Sequence, residues 1–374
     1  MFPLDIYTKI ALFTGERTVL DVMYNHKLIV PEVYSEIHNF GKILIHGKVQ
    51  SGKTAAIIDV VRNPVYCDYT KVVIIQNSLL VLNQFCSRFS SVGIDYQVVD
   101  RKTTNITADV VFIMNNKYRR EMYKNIANKP EKNIVIMDEC DVYYTHELCQ
   151  GASCQYYVTA TPYIAKYMDY FDSVIQLHTE DDYQGFEHLH VEYLPRAHST
   201  DAIVQKFIDD TQTGLLLMND LTKVDQMRNR CQKLSEVFKD IPFICLNSVK
   251  TLYINGKQTA IKKRSISHII DMYNHHSHIV IVANRLSLRG LSYTSSDYSR
   301  HITHQYSNYK FTDRRNLTNY IQKMRIFGKY KNHPKLTLMV SELCEKVINR
   351  MIMLTNKSVE PKTTFKCERF ENIG

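Results

Sequence analysis

Residues 42–54 read KILIHGKVQSGKT, and the parsing of this stretch decides the fold. KILIH (42–46) is a short apolar run of strand length. GKVQSGKT (Gly47–Thr54) follows and fits G-x-x-x-x-G-K-[ST] in full. From about Thr54 the pattern becomes helical. In a strand–turn–helix of this kind the glycines let backbone N–H groups wrap phosphate oxygens, and the helix N-terminus adds a favourable dipole. Lys53 is the cation for β- and γ-phosphates, and the Thr54 hydroxyl is a ligand for Mg2+. Gly47, Lys48, Val49, Gln50, Ser51, Gly52, Lys53 and Thr54 therefore form the expected nucleotide loop. A chance Gly–Lys turn would require neither the strand before it nor the helix after it.

Working outward, the first half alternates β-rich runs with amphipathic ones. KVVII (71–75) precedes SLLVLNQFCSRF (78–89), DVVFI (109–113) precedes KYRREMYKNIA (117–127), and NIVIM (133–137) and QYYVTAT (155–161) follow. Such alternation predicts βαβ units and a parallel sheet covered on both faces. TEDDYQGFEH (179–188) is acidic and polar and suits a linker. A second series then begins: GLLLM (214–218), a helix over 222–238, PFICL (242–246), a helical 263–274, HIVIVA (278–283), HITHQYS (301–307) and a helix over 316–325. The expected architecture is α/β, with two tandem open domains at 1–178 and 179–355 and a C-terminal tail at 356–374.

MDECD (Met137–Asp141) closes an apolar strand about 85 residues after the phosphate loop. The C-terminal ends of parallel strands face the ligand crevice. Asp138 is thus placed to hold Mg2+, directly or through water, and Glu139 to orient and deprotonate an attacking water. A solvated acidic loop is the plain alternative.

With VTATP (Val158–Pro162) following on the next strand, the chain resembles the superfamily 2 helicases and translocases through their motifs I, II and III. The resemblance implies two tandem RecA-like domains with ATP in the cleft between them. It also implies that Thr159 and Thr161 couple the acidic cluster to nucleic-acid binding and domain closure; otherwise they are strand-end threonines capping a turn before Pro162. In the second half, IVIVANRLSLRGLSY (279–293) resembles motif V through Arg289-Gly290-Leu291, and NYIQKMRIFGKY (319–330) resembles motif VI. By that likeness Arg289 and Gly290 line the nucleotide site, Gln322 faces the nucleotide, and Arg325 is the arginine finger. Phosphoryl transfer builds charge on the γ-phosphate oxygens, and a cation brought by a moving domain couples closure to hydrolysis. The usual second arginine is replaced by Gly328, and the spacing from Gln322 to Arg325 is one residue short. This variant, with the DYQGFEH element, resembles a branch found in viral and phage proteins. Gln84 resembles the element after the second strand, but one Gln on a helix reads as a polar face and receives no role. Residues 1–49 contain no Gln, so the adenine-reading motif of DEAD-box RNA helicases is absent; Tyr7, Phe13 or Tyr24 could stack on the base instead.

Composition narrows the partners. The 374 residues are 44% hydrophobic and 23% charged, which excludes intrinsic disorder and collagen-like repeats, and no apolar stretch is long enough to span a bilayer. The start, MFPLDIYTKIALF, meets Asp5 early and lacks a basic region and cleavage site, so a cytoplasmic protein (host cell or virion, if viral) is expected rather than a secreted or membrane one. Nine Cys without a CxxC pair read as reduced thiols rather than a zinc site. The net charge of +9 is uneven: residues 1–178 sum to zero, whereas 250–350 alone carry +13. KYRR (117–120), KKR (262–264) and DRR (313–315), interleaved with tyrosines, suit phosphate contacts and base stacking, although each alone suits a solvated face. The expected function is an ATP-dependent helicase or translocase using Mg2+. DNA is the expected partner, with RNA second, and replication, transcription or repair proteins are candidate protein partners. The rival readings are an ATP-dependent nucleic-acid clamp or remodelling subunit without unwinding and, more remotely, a P-loop kinase or transport ATPase.

Overall fold

The computed structural model describes residues 41–127, 130–143, 148–161, 171, 173–177, 182–246, 251–260, 265–283, 290–310, 314–330 and 334–356. The first half contributes strands β1 (Lys42–His46), β2 (Thr70–Ile75), β3 (Gln97–Val98), β4 (Val110–Met114), β5 (Asn133–Asp138), β6 (Cys154–Thr159) and β7 (Ser173–Gln176). Helices α1 (Lys53–Arg62), α2 (Leu79–Ser91), α3 (Lys117–Ile126) and the short α4 (Cys140–Tyr143) connect them. The strands form one sheet in the order β3-β4-β2-β5-β6-β1-β7, and every pairing is parallel. Parallel strands need crossovers on both faces, which explains why β4 and β5 are buried at every residue instead of alternating. On one face Ile57 and Val60 of α1 and Phe85 and Phe89 of α2 pack on Ile43, Val73, Phe112 and Ile136. On the other, Tyr123 of α3 joins Leu44, Val72, Ile113 and Met137.

The second half begins with β8 (Tyr183–Gln184) and β9 (Leu189–Leu194). It continues through α5 (Thr200–Asp210), β10 (Gly214–Met218), α6 (Val224–Val237), β11 (Phe243–Leu246), β12 (Thr251–Ile254), β13 (Lys257–Ala260), α7 (Ile266–Asp271), β14 (His278–Ala283) and β15 (Ile302–Ser307). It ends with α8 (Arg314–Gln322), β16 (Gly328–Lys329), β17 (Leu336–Ser341) and α9 (Glu345–Asn356). Eight strands form a sheet in the order β13-β12-β11-β14-β10-β15-β17-β9, parallel except for the two pairings made by β12. Phe207 of α5 and Met227, Cys231 and Leu234 of α6 cover one face. The other face joins the α1/α2 side of the first sheet in a continuous apolar cluster that includes Leu291, Tyr293, Tyr320 and Ile326.

Four features depart from the sequence expectations. The helix expected over 316–325 stops at Gln322, leaving Arg325 in a turn. Among the described residues the helix expected over 263–274 is confined to Ile266–Asp271, where the Ser265 side chain accepts from His268 N–H. The antiparallel pair β12–β13 turns at Asn255-Gly256, where both φ angles are positive (48° and 77°), as a two-residue turn of this hand requires. The segment read as a linker is structured from Asp182 onward: β8 pairs antiparallel with β16, and Tyr183 and Gln184 are buried. Arg289, Pro162, residues 1–40 with their candidate stacking aromatics, KKR (262–264) and the tail beyond Asn356 lie outside the described residues.

Candidate nucleotide cleft

The loop Gly47–Gly52 leaves the C-terminal end of β1 and enters α1. Gly47 N–H donates to Thr159 O (3.2 Å), fastening the loop to β6. A Cβ at Gly47 would lie 2.5 Å from Ser51 Oγ and 2.9 Å from Leu177 Cβ, so only glycine fits that approach. Gln50 and Gly52 both have positive φ, 58° and 98°, and turn the backbone over the helix start. Lys53 Nζ folds back over the loop to Lys48 O (2.8 Å) and Gly47 O (3.4 Å). The Ser51 hydroxyl is buried inside the loop with no hydrogen-bond partner among the described residues.

At the end of β5, Asp138 and Glu139 are 6% and 3% exposed, and Glu139 has φ of 52°. Burial, with the neighbouring Glu139 charge, pushes the Asp138 carboxyl up to about 7 against the pull of Lys53. Burial also pulls the Lys53 ammonium down to about 8, with the Arg325 cation acting in the same direction and Glu139 and Asp138 opposing it. Both shifts express one fact: the cleft concentrates charge in a desolvated space. Among the described residues, no group of three or more His, Cys, Asp or Glu is arranged to hold a metal by itself. Mg2+ asks for less, namely one or two hard protein oxygens beside phosphate and water. The Thr54 hydroxyl and the Asp138 carboxylate, with the partnerless Ser51 hydroxyl in the adjoining loop, fit that demand.

The acidic cluster continues to Asp141, to which the sequence reading gave no role. Its two carboxylate oxygens accept from Thr159 Oγ1 (2.8 Å) and Thr161 Oγ1 (2.9 Å), and Thr161 Oγ1 in turn accepts from Gln322 Nε2 (2.9 Å). One hydrogen-bonded chain thus runs from the end of β5 through the end of β6 to the end of α8. Gly290 lies on the same side, where a Cβ added to it would sit 3.8 Å from Asp138 Oδ2. Arg325 is 4% exposed and donates to Leu291 O (3.2 Å) and to Gln322 O. Its own carbonyl accepts from Gln50 Nε2 (2.9 Å), so the phosphate loop and the Arg325 turn are directly joined.

Three further residues carry the geometry. Gln305, fully buried on β15, uses its amide as a fork: Nε2 donates to Lys323 O (2.9 Å) and Oε1 accepts from Ile326 N–H (3.0 Å), fixing the turn that presents Arg325. Tyr183 O–H donates to Val49 O (2.9 Å), placing β8 against the phosphate loop. Gln84 Oε1 accepts from Ser292 N–H (3.0 Å) across the cleft. Its position on the helix after β2 had drawn attention to Gln84. Tyr183 lies within the DYQGFEH element, whereas nothing in the local pattern marks Gln305.

Two mostly parallel α/β sheets flanked by helices, with a phosphate-loop turn and an acidic strand end facing the second sheet, define a protein of two tandem RecA-like domains. The solved structures it is similar to share that architecture. Saccharomyces cerevisiae Dbp5 bound to RNA and ADP BeF3 superposes with TM-score 0.57 at 13% identity, covering 90% of this chain and 89% of that one. A single-site variant of Dbp5 in the same bound state gives TM-score 0.57 at 15% identity, covering 92% of each chain. The Escherichia coli DExH-box NTPase HrpB gives TM-score 0.54 at 12% identity, covering 87% of this chain but 42% of that one. At these identities the likeness is one of fold. No protein-family model and no curated protein sequence matches the chain.

Proposed function

We propose that the chain is an ATP-dependent nucleic-acid helicase or translocase, with its two domains at 1–178 and 179–355. Gly47–Thr54 cradles the phosphates, and the Thr54 hydroxyl and Asp138 hold Mg2+. When bound, the metal neutralises charge on the β- and γ-phosphate oxygens. Lys53 leaves its carbonyl contacts for the phosphates, Glu139 orients a water in line with the γ-phosphate and takes its proton, and Arg325 stabilises the charge that develops there. Arg289 and Gly290 complete the nucleotide site from the second half. DNA is the favoured polymer, with RNA second, and the excess positive charge of 250–350 is its track.

The observation that carries this reading is the hydrogen bond from Gln322 Nε2 to Thr161 Oγ1. It makes the acidic cluster sensitive to the position of the second sheet, as a motor that alternates open and closed states requires. ATP hydrolysis measured with single-stranded, duplex and forked DNA and RNA tests it: one class of polymer is expected to stimulate turnover severalfold, and the effect should fade with salt. Hydrolysis indifferent to every polymer at low salt would refute the motor. Release of a labelled strand separates unwinding from a clamp that hydrolyses ATP and displaces nothing.

A further inference from the structure

Helix α2 touches both sides of the cleft, and through more than Gln84. Gln84 and Arg88 stand four residues apart and therefore share a face. Gln84 takes the Ser292 N–H, as described. Arg88 does more: its Nη1 donates to Thr54 Oγ1 (2.8 Å) and its Nη2 to Ser292 Oγ (2.9 Å). A planar guanidinium presents several donors in a fixed fork, so it can engage acceptors on two elements at once; an ammonium cannot hold that geometry.

The Thr54 oxygen engaged by Arg88 is the one the phosphate loop offers to the metal. A dication held by that oxygen and a guanidinium hydrogen-bonded to it would be close neighbours of like charge in a desolvated cleft. The two are poor co-occupants. Ser292, in the second half of the chain, supplies Arg88 with a second acceptor. We propose that Arg88 and Mg2+ compete for the Thr54 hydroxyl, and that Ser292 sets the balance by retaining Arg88 when the metal displaces it from Thr54. Arg88 is then a positioning residue. In this structure it holds Thr54 and Ser292 together; metal loading would leave it Ser292 alone, and with Ser292 withdrawn a displaced guanidinium has lost both acceptors in the desolvated cleft, which opposes metal loading. By reciprocity, metal loading leaves Arg88 with the second half alone, which couples nucleotide state to interdomain contact at a second point besides Gln322.

This inference rests on the nucleotide-site reading and is tested by equilibrium binding, not turnover. The full chain is held at fixed mant-ADP, and the fluorescence is followed as Mg2+ is added. Solution formation of Mg-nucleotide is common to all variants, so shifts in half-saturating Mg2+ report the protein. Arg88→Ala is expected to lower that concentration by about 5-fold or more. Ser292→Ala is expected to raise it, because an Arg88 displaced from Thr54 then has no acceptor on the second half. Arg88→Lys keeps a cation on Thr54 without the span to Ser292, so it should match or exceed wild type while folding as wild type does. Opposite signs for Arg88→Ala and Ser292→Ala are the signature, since general destabilisation would move both the same way. If wild type binds mant-ADP but Arg88→Ala is unchanged or needs more Mg2+, the competition is overturned and the nucleotide site stands. If wild type binds no nucleotide with or without Mg2+, both fall.

Discussion

The two sides of the cleft are built by different means. The phosphate loop is a backbone device: Gly47, Gln50 and Gly52 set its path, Gly47 is fastened to Thr159, and the loop connects a strand to the helix that follows it. The Arg325 turn is a side-chain device. It lies just past the end of α8, and the amide of Gln305, far away in sequence on β15, holds its shape, with Asn219 Nδ2 adding a contact to Lys323 O (3.3 Å). A loop made by local backbone geometry is a rigid cradle. A turn held by a buried polar network is cooperative and can shift as one unit, which suits the side of the cleft that the proposed motor would move.

That contrast can be broken from either side. The largest effect is expected at the cradle. Lys53→Ala removes its cation and should lower ATP turnover by more than about 100-fold, and Glu139→Gln should do the same with nucleotide binding retained; single-turnover assays beside equilibrium nucleotide binding check both. Arg325→Ala should cost about 100-fold in kcat while KM moves little, because its cation acts as charge develops. Turnover undiminished in Arg325→Ala would favour a P-loop kinase or transport ATPase.

Gln305→Leu separates the turn from its residue. Lys323 O would lose one of its partners and Ile326 N–H the one that fixes it, a cost of about 2 kcal/mol in stability. Turnover should fall about 10-fold, less than for Arg325→Ala, with nucleotide affinity preserved. A Gln305→Leu protein with wild-type kcat would show that the turn needs no fork. If the double variant with Arg325→Ala loses no more turnover than Arg325→Ala alone, Gln305 acts through Arg325.

The smallest effect concerns the support beneath that side. His304, next to Gln305 on β15, is 2% exposed, and burial pulls its imidazole down to about 4 although Asp210 lies 3.6 Å away; Lys335 and Lys206 add to the depression. Between about pH 6.5 and pH 4 the unfolded chain binds a proton at His304 that the folded chain refuses, so stability is full above that window and declines as pH falls through it. His304→Gln should flatten this acid loss by about 1 kcal/mol near pH 5.5, measured by denaturant midpoints. An unchanged acid limb would place the loss elsewhere.

How much was legible follows the same division. The cradle could be read because strand, glycine turn and helix are consecutive, and Asp138 and Glu139 because β5 is a continuous apolar run that ends in charge. The strand ends carrying Thr159 and Thr161 were equally plain. The role of Asp141 was hidden, since its threonine partners stand on the next strand. The helix over 316–325 was overextended because periodicity cannot show that Gln305 draws Lys323 and Ile326 into a turn. The stretch 179–188 looked like a linker because acidic polar composition conceals pairing with residues about 145 positions away. The hairpin at 251–260 carries its own signal, Asn255-Gly256 between β-rich runs.

Sequence by itself determined the α/β architecture, the phosphate loop and the acidic strand end. These rest on hydrophobic periodicity, glycine backbone freedom and the rule that parallel strands present their C-terminal ends to one crevice. Only the tertiary structure decided which side chains bridge that crevice: Gln322 to Thr161, Gln50 to the Arg325 carbonyl, and Arg88 between Thr54 and Ser292. The physical reason is range. Propensity and periodicity act over a few residues, whereas a hydrogen bond between residues more than 150 positions apart exists only once two separate sheets have fixed both ends.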